Sequence, residues 1–280
     1  MKKLIIISIC LGLLSGCSIK VAYHFLGVIG KWYVGSYVSL NHSQKRLLDD
    51  TLDEFHQWHR GSQLKIYAQY IDSVIPHLES EHITGEWIYQ QTDIAQDMLD
   101  VSMLRLKPSI TMLMATFSDQ QIEEIVRELE KDRKKYRKKY IDISPEKQSK
   151  KRKAQLLDYI GRFFGRLTSE QNVWLNEWER SLLDYENLTL QQQKILSDKL
   201  SATFADRSGK LKLDQLVDDI IFYRSDKWDE ALKSVIDQNQ VTTYALIAKL
   251  INSQTPKQRH KMLRKLRDYR DDCLALAAKN

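Results

Sequence analysis

Two histidines three residues apart, His56 and His59, with His42 upstream, are the residues of this 280-residue chain whose type and spacing could hold a metal ion. Imidazoles at that spacing share one face of a helix and can chelate. A catalytic or structural metal site needs further ligands, and here no Cys, and no carboxylate at a motif spacing, completes one. The competing reading is structural, with Trp58, His59 and Arg60 forming a turn and Gly61 ending the helix. No nucleophile elbow, phosphate-cradling glycine loop or zinc-protease motif is present. The sequence therefore predicts a protein that is not an enzyme and needs no cofactor or metal. A helical metal-dependent hydrolase using the His56/His59 region is the alternative.

The second candidate is electrostatic. Between Lys131 and Lys153 stand 12 cations, Lys131, Arg133, Lys134, Lys135, Arg137, Lys138, Lys139, Lys147, Lys150, Lys151, Arg152 and Lys153, against the 3 acids Asp132, Asp142 and Glu146. Glu123, Glu124, Glu128 and Glu130 open the first half and cations close it, which suits a helix macrodipole and i,i+4 pairing. The excess beyond such pairing predicts a surface for an anionic partner, centred on Lys134, Lys135, Arg137, Lys138, Lys139, Lys150, Lys151, Arg152 and Lys153. The competing reading is a solvated face. The last helix, with Lys257, Arg259, Lys261, Arg264, Lys265, Arg267 and Arg270, offers a second basic face.

Residues 1–16 have the three parts of an export signal: Lys2 and Lys3, an apolar run from Leu4 to Leu14, and small Ser15 and Gly16. That run is shorter than the roughly 20 apolar residues a membrane-spanning helix needs. Leu14-Ser15-Gly16-Cys17 resembles the lipobox of bacterial lipoproteins. The resemblance implies cleavage between Gly16 and Cys17, a diacylglyceryl group on Cys17, and a mature chain tied to the envelope and facing the periplasm. Ser18 rather than Asp after the Cys implies the outer membrane over the inner. Anchoring by two or three acyl chains is stable where one chain is not. Cys10 would leave with the signal and Cys17 would carry lipid, so Cys273 alone remains and no disulfide is expected within the mature chain. Cys273 falls on the stripe Met262, Leu266, Tyr269, Cys273, Leu276, which reads as a packed core thiol.

These groups must be positioned by helices. The chain has only 4 Pro and 10 Gly and long intervals free of both, rich in Leu, Glu, Lys, Arg and Gln, which predicts an all-α fold, a multi-helix bundle with short loops. The formal charge of +6 falls to +4 when Lys2 and Lys3 leave. Five phrases, Asn41 to Gln44, Ser118 to Gln121, Thr168 to Gln171, Thr189 to Gln192 and Thr255 to Gln258, each place a capping residue three positions before a Gln. This is the capping-box pattern, and each predicts a helix start. Amphipathic stripes follow, such as Leu48, Leu52, Phe55, His59 and Leu175, Trp178, Leu182. Further helices are expected from Leu64 to Pro76, from Gly85 to Leu106, from Pro108 through Met114, and from Pro145 to Phe164. Two more are expected between Leu213 and Asn252, broken near Asp237 to Gln240. The segment from Ile19 to Leu40 is aromatic and carries only two charged side chains, Lys20 and Lys31. It suits either a helix lying on the lipid surface or a first core helix. The expected organisation is signal 1–16, lipidated membrane-proximal segment 17–40 and helical domain 41–280, divisible into sub-bundles 41–116 and 117–280.

The lipobox and aromatic helix, Gln57-Trp58-His59-Arg60, Phe117-Ser118-Asp119-Gln120-Gln121, and Phe164-Gly165-Arg166-Leu167-Thr168 running to Gln171 together resemble an uncharacterised family of bacterial lipoproteins, a domain of unknown function. That resemblance implies an all-helical lipoprotein and brings no activity with it. Leu167-Thr168-Ser169-Glu170-Gln171 and Leu188-Thr189-Leu190-Gln191-Gln192 are also similar to the repeats of small periplasmic stress chaperones, which hold unfolded clients without ATP. The function expected is therefore a lipid-anchored envelope protein of the binding, adaptor or chaperone-like kind. Anionic lipid, lipopolysaccharide or envelope proteins are the partners, and nucleic acid is not expected outside the cytosol.

Overall fold

The chain was described from a computed structural model, which covers residues 19–206, 210–222 and 227–278. Gly16, Cys17 and Ser18 lie outside the described residues. Among the described residues twelve α-helices follow in order: α1 (Ile19–His24), α2 (Leu26–Gly35), α3 (His42–Trp58), α4 (Leu64–Ser80), α5 (Gly85–Ala115), α6 (Asp119–Tyr140), α7 (Pro145–Phe164), α8 (Ser169–Ser181), α9 (Glu186–Ala205), α10 (Lys210–Ile221), α11 (Glu230–Asn252) and α12 (Pro256–Ala277). No strand occurs among the described residues, and the all-α expectation holds. No described helix is long and apolar enough to cross a membrane.

Two apolar clusters organise the bundle. One joins α4, α7, α8, α11 and α12 through Ile75, Leu78, Phe164, Trp178, Leu250 and Met262. The other joins α3, α6, α9, α10 and the end of α5 through Leu48, Leu113, Ile122, Phe204 and Leu216. The 31 residues of α5 link them, with Trp87 and Ile88 packed on the first and Leu113 and Met114 within the second. Each cluster takes residues from both sides of position 117. A smaller cluster of Tyr23, Leu64, Ala68, Cys273 and Leu276 ties α1 to α4 and α12. Cys273 is buried there as a free thiol, and burial pushes its pKa up to about 11, which leaves it unreactive.

The capping boxes do more than start helices. Asn41, Ser118, Thr168 and Thr255 each accept from the backbone N–H of the Gln three residues on, and that Gln accepts from the cap residue's own N–H. The four glutamines then meet in two pairs. Gln44 and Gln121 exchange amide hydrogen bonds at 3.1 and 2.7 Å. Gln171 and Gln258 do the same at 3.2 and 2.8 Å. Within each pair every side-chain amide also donates to the carbonyl two residues before the opposite cap: Gln44 to Thr116, Gln121 to Ser39, Gln171 to Ser253 and Gln258 to Arg166. One clasp thus binds the starts of α3 and α6 and its duplicate binds those of α8 and α12. Buried amides require this full satisfaction, and Gln171 is only 1% exposed.

Thr189 and Gln192 do not form a cap, contrary to expectation. α9 begins three residues earlier, and both side chains are buried inside it, Gln192 accepting from the Asp229 N–H at 2.9 Å. Glu186 fixes the earlier start by accepting from the Tyr185 N–H while pairing with Arg152. Other boundaries shift for equally physical reasons. Helices α4 and α5 run through Pro76 and Pro108, where breaks were expected. Both prolines are on the exposed side of their helices, as are Asp72 and Leu104, the residues whose carbonyls lose a helical donor. The break between α10 and α11 falls before Glu230, not at Asp237 to Gln240. Asn239 is buried in α11, where its amide clamps both backbone groups of Leu183, at 2.8 and 2.9 Å. Nor does Gly61 end a helix. His59–Gln63 form a π-helix that carries α3 into α4, with the Leu64 N–H reaching back five residues to the His59 carbonyl.

Candidate functional site

The π-helix positions His59 so that both ring nitrogens are engaged. The Tyr23 hydroxyl lies 3.1 Å from Nδ1 and the Tyr67 hydroxyl 3.3 Å from Nε2. Tyr67 continues to the Ser102 hydroxyl at 3.2 Å. Phe55 packs against the imidazole and Trp58 sits edge-on to it. Burial, helped by nearby His56, holds the His59 pKa down at about 4, and burial pushes Tyr23 up to about 12, so both are neutral at pH 7. A neutral imidazole has one donor and one acceptor, which two hydroxyls satisfy. The lone pair a metal would need is therefore already in use. His56 packs against the Tyr23 ring at 4.6 Å and meets the Arg60 guanidinium, 3.4 Å from its Nε2, and burial with that charge lowers its pKa. His42 is exposed at the opposite end of α3. No group of three His, Cys, Asp or Glu is gathered to hold a metal ion among the described residues. The arrangement is a latch that docks α1 onto the α3–α4 junction.

The latch makes stability pH-dependent. The native pKa of His59, about 4, is below the ordinary 6.5, so the unfolded chain takes up this proton first. Its contribution is full above pH 6.5 and is lost as pH falls towards 4, by up to about 3 kcal/mol. Urea midpoints measured from pH 7 to pH 4 are expected to fall less steeply in a His59→Gln variant. Identical slopes in the two proteins would contradict the latch.

The basic run forms the α6–α7 hairpin, and its cations divide into three groups. Lys131, Arg133, Lys134 and Lys135 pair with Glu128, Glu130 or Asp132 one turn away on α6. Arg152 does not belong to the surface, and this corrects the expectation. Its guanidinium is buried, bidentate on Glu186 at 2.8 and 2.5 Å, bonded to Asp184 at 2.7 Å, and placed over the Tyr185 ring. The remaining cations, Arg137, Lys138, Lys139, Lys147, Lys150, Lys151 and Lys153, form no ion pair with the described residues. Lys139 and Lys151 converge on the Tyr140 ring, at 5.0 and 5.7 Å, and Lys153 bonds the Asn176 amide oxygen. The hairpin therefore gathers the cations of both helices around one turn. On α12, by contrast, Arg259, Arg267 and Arg270 are engaged with neighbouring groups of the fold. Arg259 donates to the closing carbonyls of α4 at Leu78 and Glu79, Arg267 pairs with Glu79, and Arg270 with Asp72 and Asp271.

Comparison with known proteins gives one positive finding. A model of a family of unknown function, DUF6279, matches residues 36–233. The chain belongs to this family. The DUF6279 match contains the first clasp whole, Asn41/Gln44 with Ser118/Gln121, and the entire α6–α7 hairpin. Of the second clasp it contains Thr168 and Gln171, while Thr255 and Gln258 lie beyond it. No curated protein and no solved structure matches the chain. The two Leu-Thr-x-x-Gln phrases serve unlike purposes: the one at Leu167 forms a clasp, and the one at Leu188 is interior to α9.

Sequence reasoning missed the buried Arg152–Glu186 pair. Nothing local distinguishes Arg152 from the lysines beside it, since its partners arrive from 32 and 34 residues away.

Proposed function

We propose that this DUF6279 protein is a lipid-anchored, non-catalytic binding protein of the bacterial envelope, facing the periplasm, whose α6–α7 hairpin takes an anionic partner. Phosphate-bearing lipid headgroups, lipopolysaccharide or an acidic segment of an envelope protein have the required chemistry. The lipobox at Leu14–Cys17 supports the anchor, and Ser18 favours the outer membrane.

The observation that carries the binding role is the placement of cations at the wrong end of a helix. Arg137, Lys138 and Lys139 close α6, where the negative end of the macrodipole favours them without any partner. Lys147 stands in the first turn of α7, where the dipole disfavours it, and Lys150 follows in the second turn, while Lys151 donates to the Lys139 carbonyl that closes α6. Folding alone does not account for Lys147 and Lys150, which form no ion pair with the described residues, whereas an anionic ligand resting on the turn would. Replacing Lys147 and Lys150 with Gln is expected to raise stability by about 0.3–1 kcal/mol in all, the gain coming from Lys147 in the first turn. The same variant is expected to bind vesicles containing anionic lipid more weakly than the parent, with a shallower salt dependence. Unchanged binding, or a loss of stability, would overturn the reading.

A further inference from the structure

The face that α1 and α2 turn outward is apolar, where a surface helix ordinarily turns its polar side to water. Val21, Phe25, Val28 and Trp32 are spaced by 4, 3 and 4 residues, one side of a helix, and are 46, 49, 60 and 72% exposed. The stripe stays in phase across the junction of the two helices. The Phe25 N–H bonds the Val21 carbonyl and the Ile29 N–H bonds the Phe25 carbonyl, so helical bonding passes through. The opposite side is packed: Tyr23 is buried in the cluster with Cys273 and Leu276, Leu26 lies against it, and Val34 contacts the cluster of Leu48 and Phe117. Both lysines of the segment bend back to the protein body, Lys20 to Asp272 at 2.9 Å and Lys31 to Asp49 at 3.1 Å. No charged side chain therefore interrupts the stripe.

We infer that this stripe is seated in the headgroup–acyl boundary of the bilayer that holds the lipid on Cys17. The inference rests on the anchor reading and adds an orientation to it. Cys17 stands four residues before Val21 in the chain, a reach of at most about 14 Å, so the acylated residue is tethered close to the stripe. Trp and Phe are suited to this depth, apolar in body and tolerant of the wet side. Acyl chains supply the retention, and the four side chains add apolar contact that fixes which face of the bundle meets the membrane. With α1 latched by His59 and α2 packed on α3, the whole bundle would be carried rigidly by this seat.

The test uses the full lipidated protein in vesicles containing phosphatidylcholine brominated near the headgroup, with tryptophan emission as the readout. Of the six tryptophans only Trp32 is on the stripe, so Trp32→Phe isolates its signal. The expected result is bromine quenching and a blue-shifted Trp32 component, both lost in Trp32→Phe. Val28→Glu, at a site exposed enough to leave the fold intact, is expected to diminish the quenching while circular dichroism stays unchanged. An intact mass carrying the diacylglyceryl group but no quenching of Trp32 would overturn the seat and leave the anchor standing. A blue-shifted Trp32 without quenching, together with a concentration-dependent dimer, would assign the stripe to a second copy of the chain and overturn the seat equally.

Discussion

A Gln258→Ala substitution is expected to lower stability by about 3 kcal/mol, far more than loss of an ordinary surface cap. The side chain accepts from the Thr255 N–H and exchanges bonds with Gln171, and it donates to the Arg166 carbonyl. Its removal takes the side-chain partner from the Arg166 carbonyl and from the Thr255 N–H and leaves the buried Gln171 amide short of one donor and one acceptor, unmet groups costing about 1–3 kcal/mol each. Thr255→Ala breaks only the cap bond to the Gln258 N–H and is expected to cost about 1 kcal/mol. The clasp also predicts strong coupling. Gln171→Ala combined with Gln258→Ala should cost clearly less than the two single effects added together, because either change alone already breaks both reciprocal bonds between them. Equilibrium urea denaturation of the four proteins checks this, and simple additivity would contradict reciprocal pairing. The duplicate clasp of Gln44 and Gln121 is expected to behave in the same way, since its bonds repeat the pattern.

Arg152→Met is expected to destabilise by about 3–5 kcal/mol, because it strands Glu186, 3% exposed, as a buried charge with no cation beside it. The exposed Asp184 can turn to water and adds little. A double variant, Arg152→Met with Glu186→Leu, should recover most of the loss, since a buried ion pair is often replaceable by apolar packing. Thermal or urea midpoints of the three proteins decide it. If Arg152→Met were as mild as Lys150→Gln, the guanidinium would have to be on the surface after all. The binding assay separates the two residues further. Lys150 variants should weaken the anionic interaction with little effect on folding, whereas Arg152 variants should change stability first.

What could be read from the residues divides according to range. Asn41, Ser118, Thr168 and Thr255 announce helix starts because a capping box is closed within four residues, and the all-α fold follows from the same local rules together with the apolar stripes. Thr189 carries an equally good local phrase and is silent, because the start of α9 is set by Glu186 and its distant partner Arg152. Pro76 and Pro108 do not break their helices, since what matters is which side of the helix meets water. Asn239 lies in a polar stretch that reads as a break until Leu183 arrives from 56 residues away to satisfy it. The same limit governed the candidate site. Net charge located the α6–α7 hairpin, but only tertiary pairing separated the surface lysines from the buried Arg152. The pairing of the four capping glutamines into two clasps is long-range as well, over 77 and 87 residues.

The proposed lipid on Cys17 underlies both the proposed role and the proposed membrane seat of α1 and α2, and the mass of the N-terminal peptide tests it most directly. The protein should be expressed with its own leader in a bacterial host and recovered from the membrane fraction. The account predicts a peptide that begins at Cys17 and carries a diacylglyceryl group. A peptide that retains the residues before Cys17, or one with its Cys17 thiol free, would contradict it.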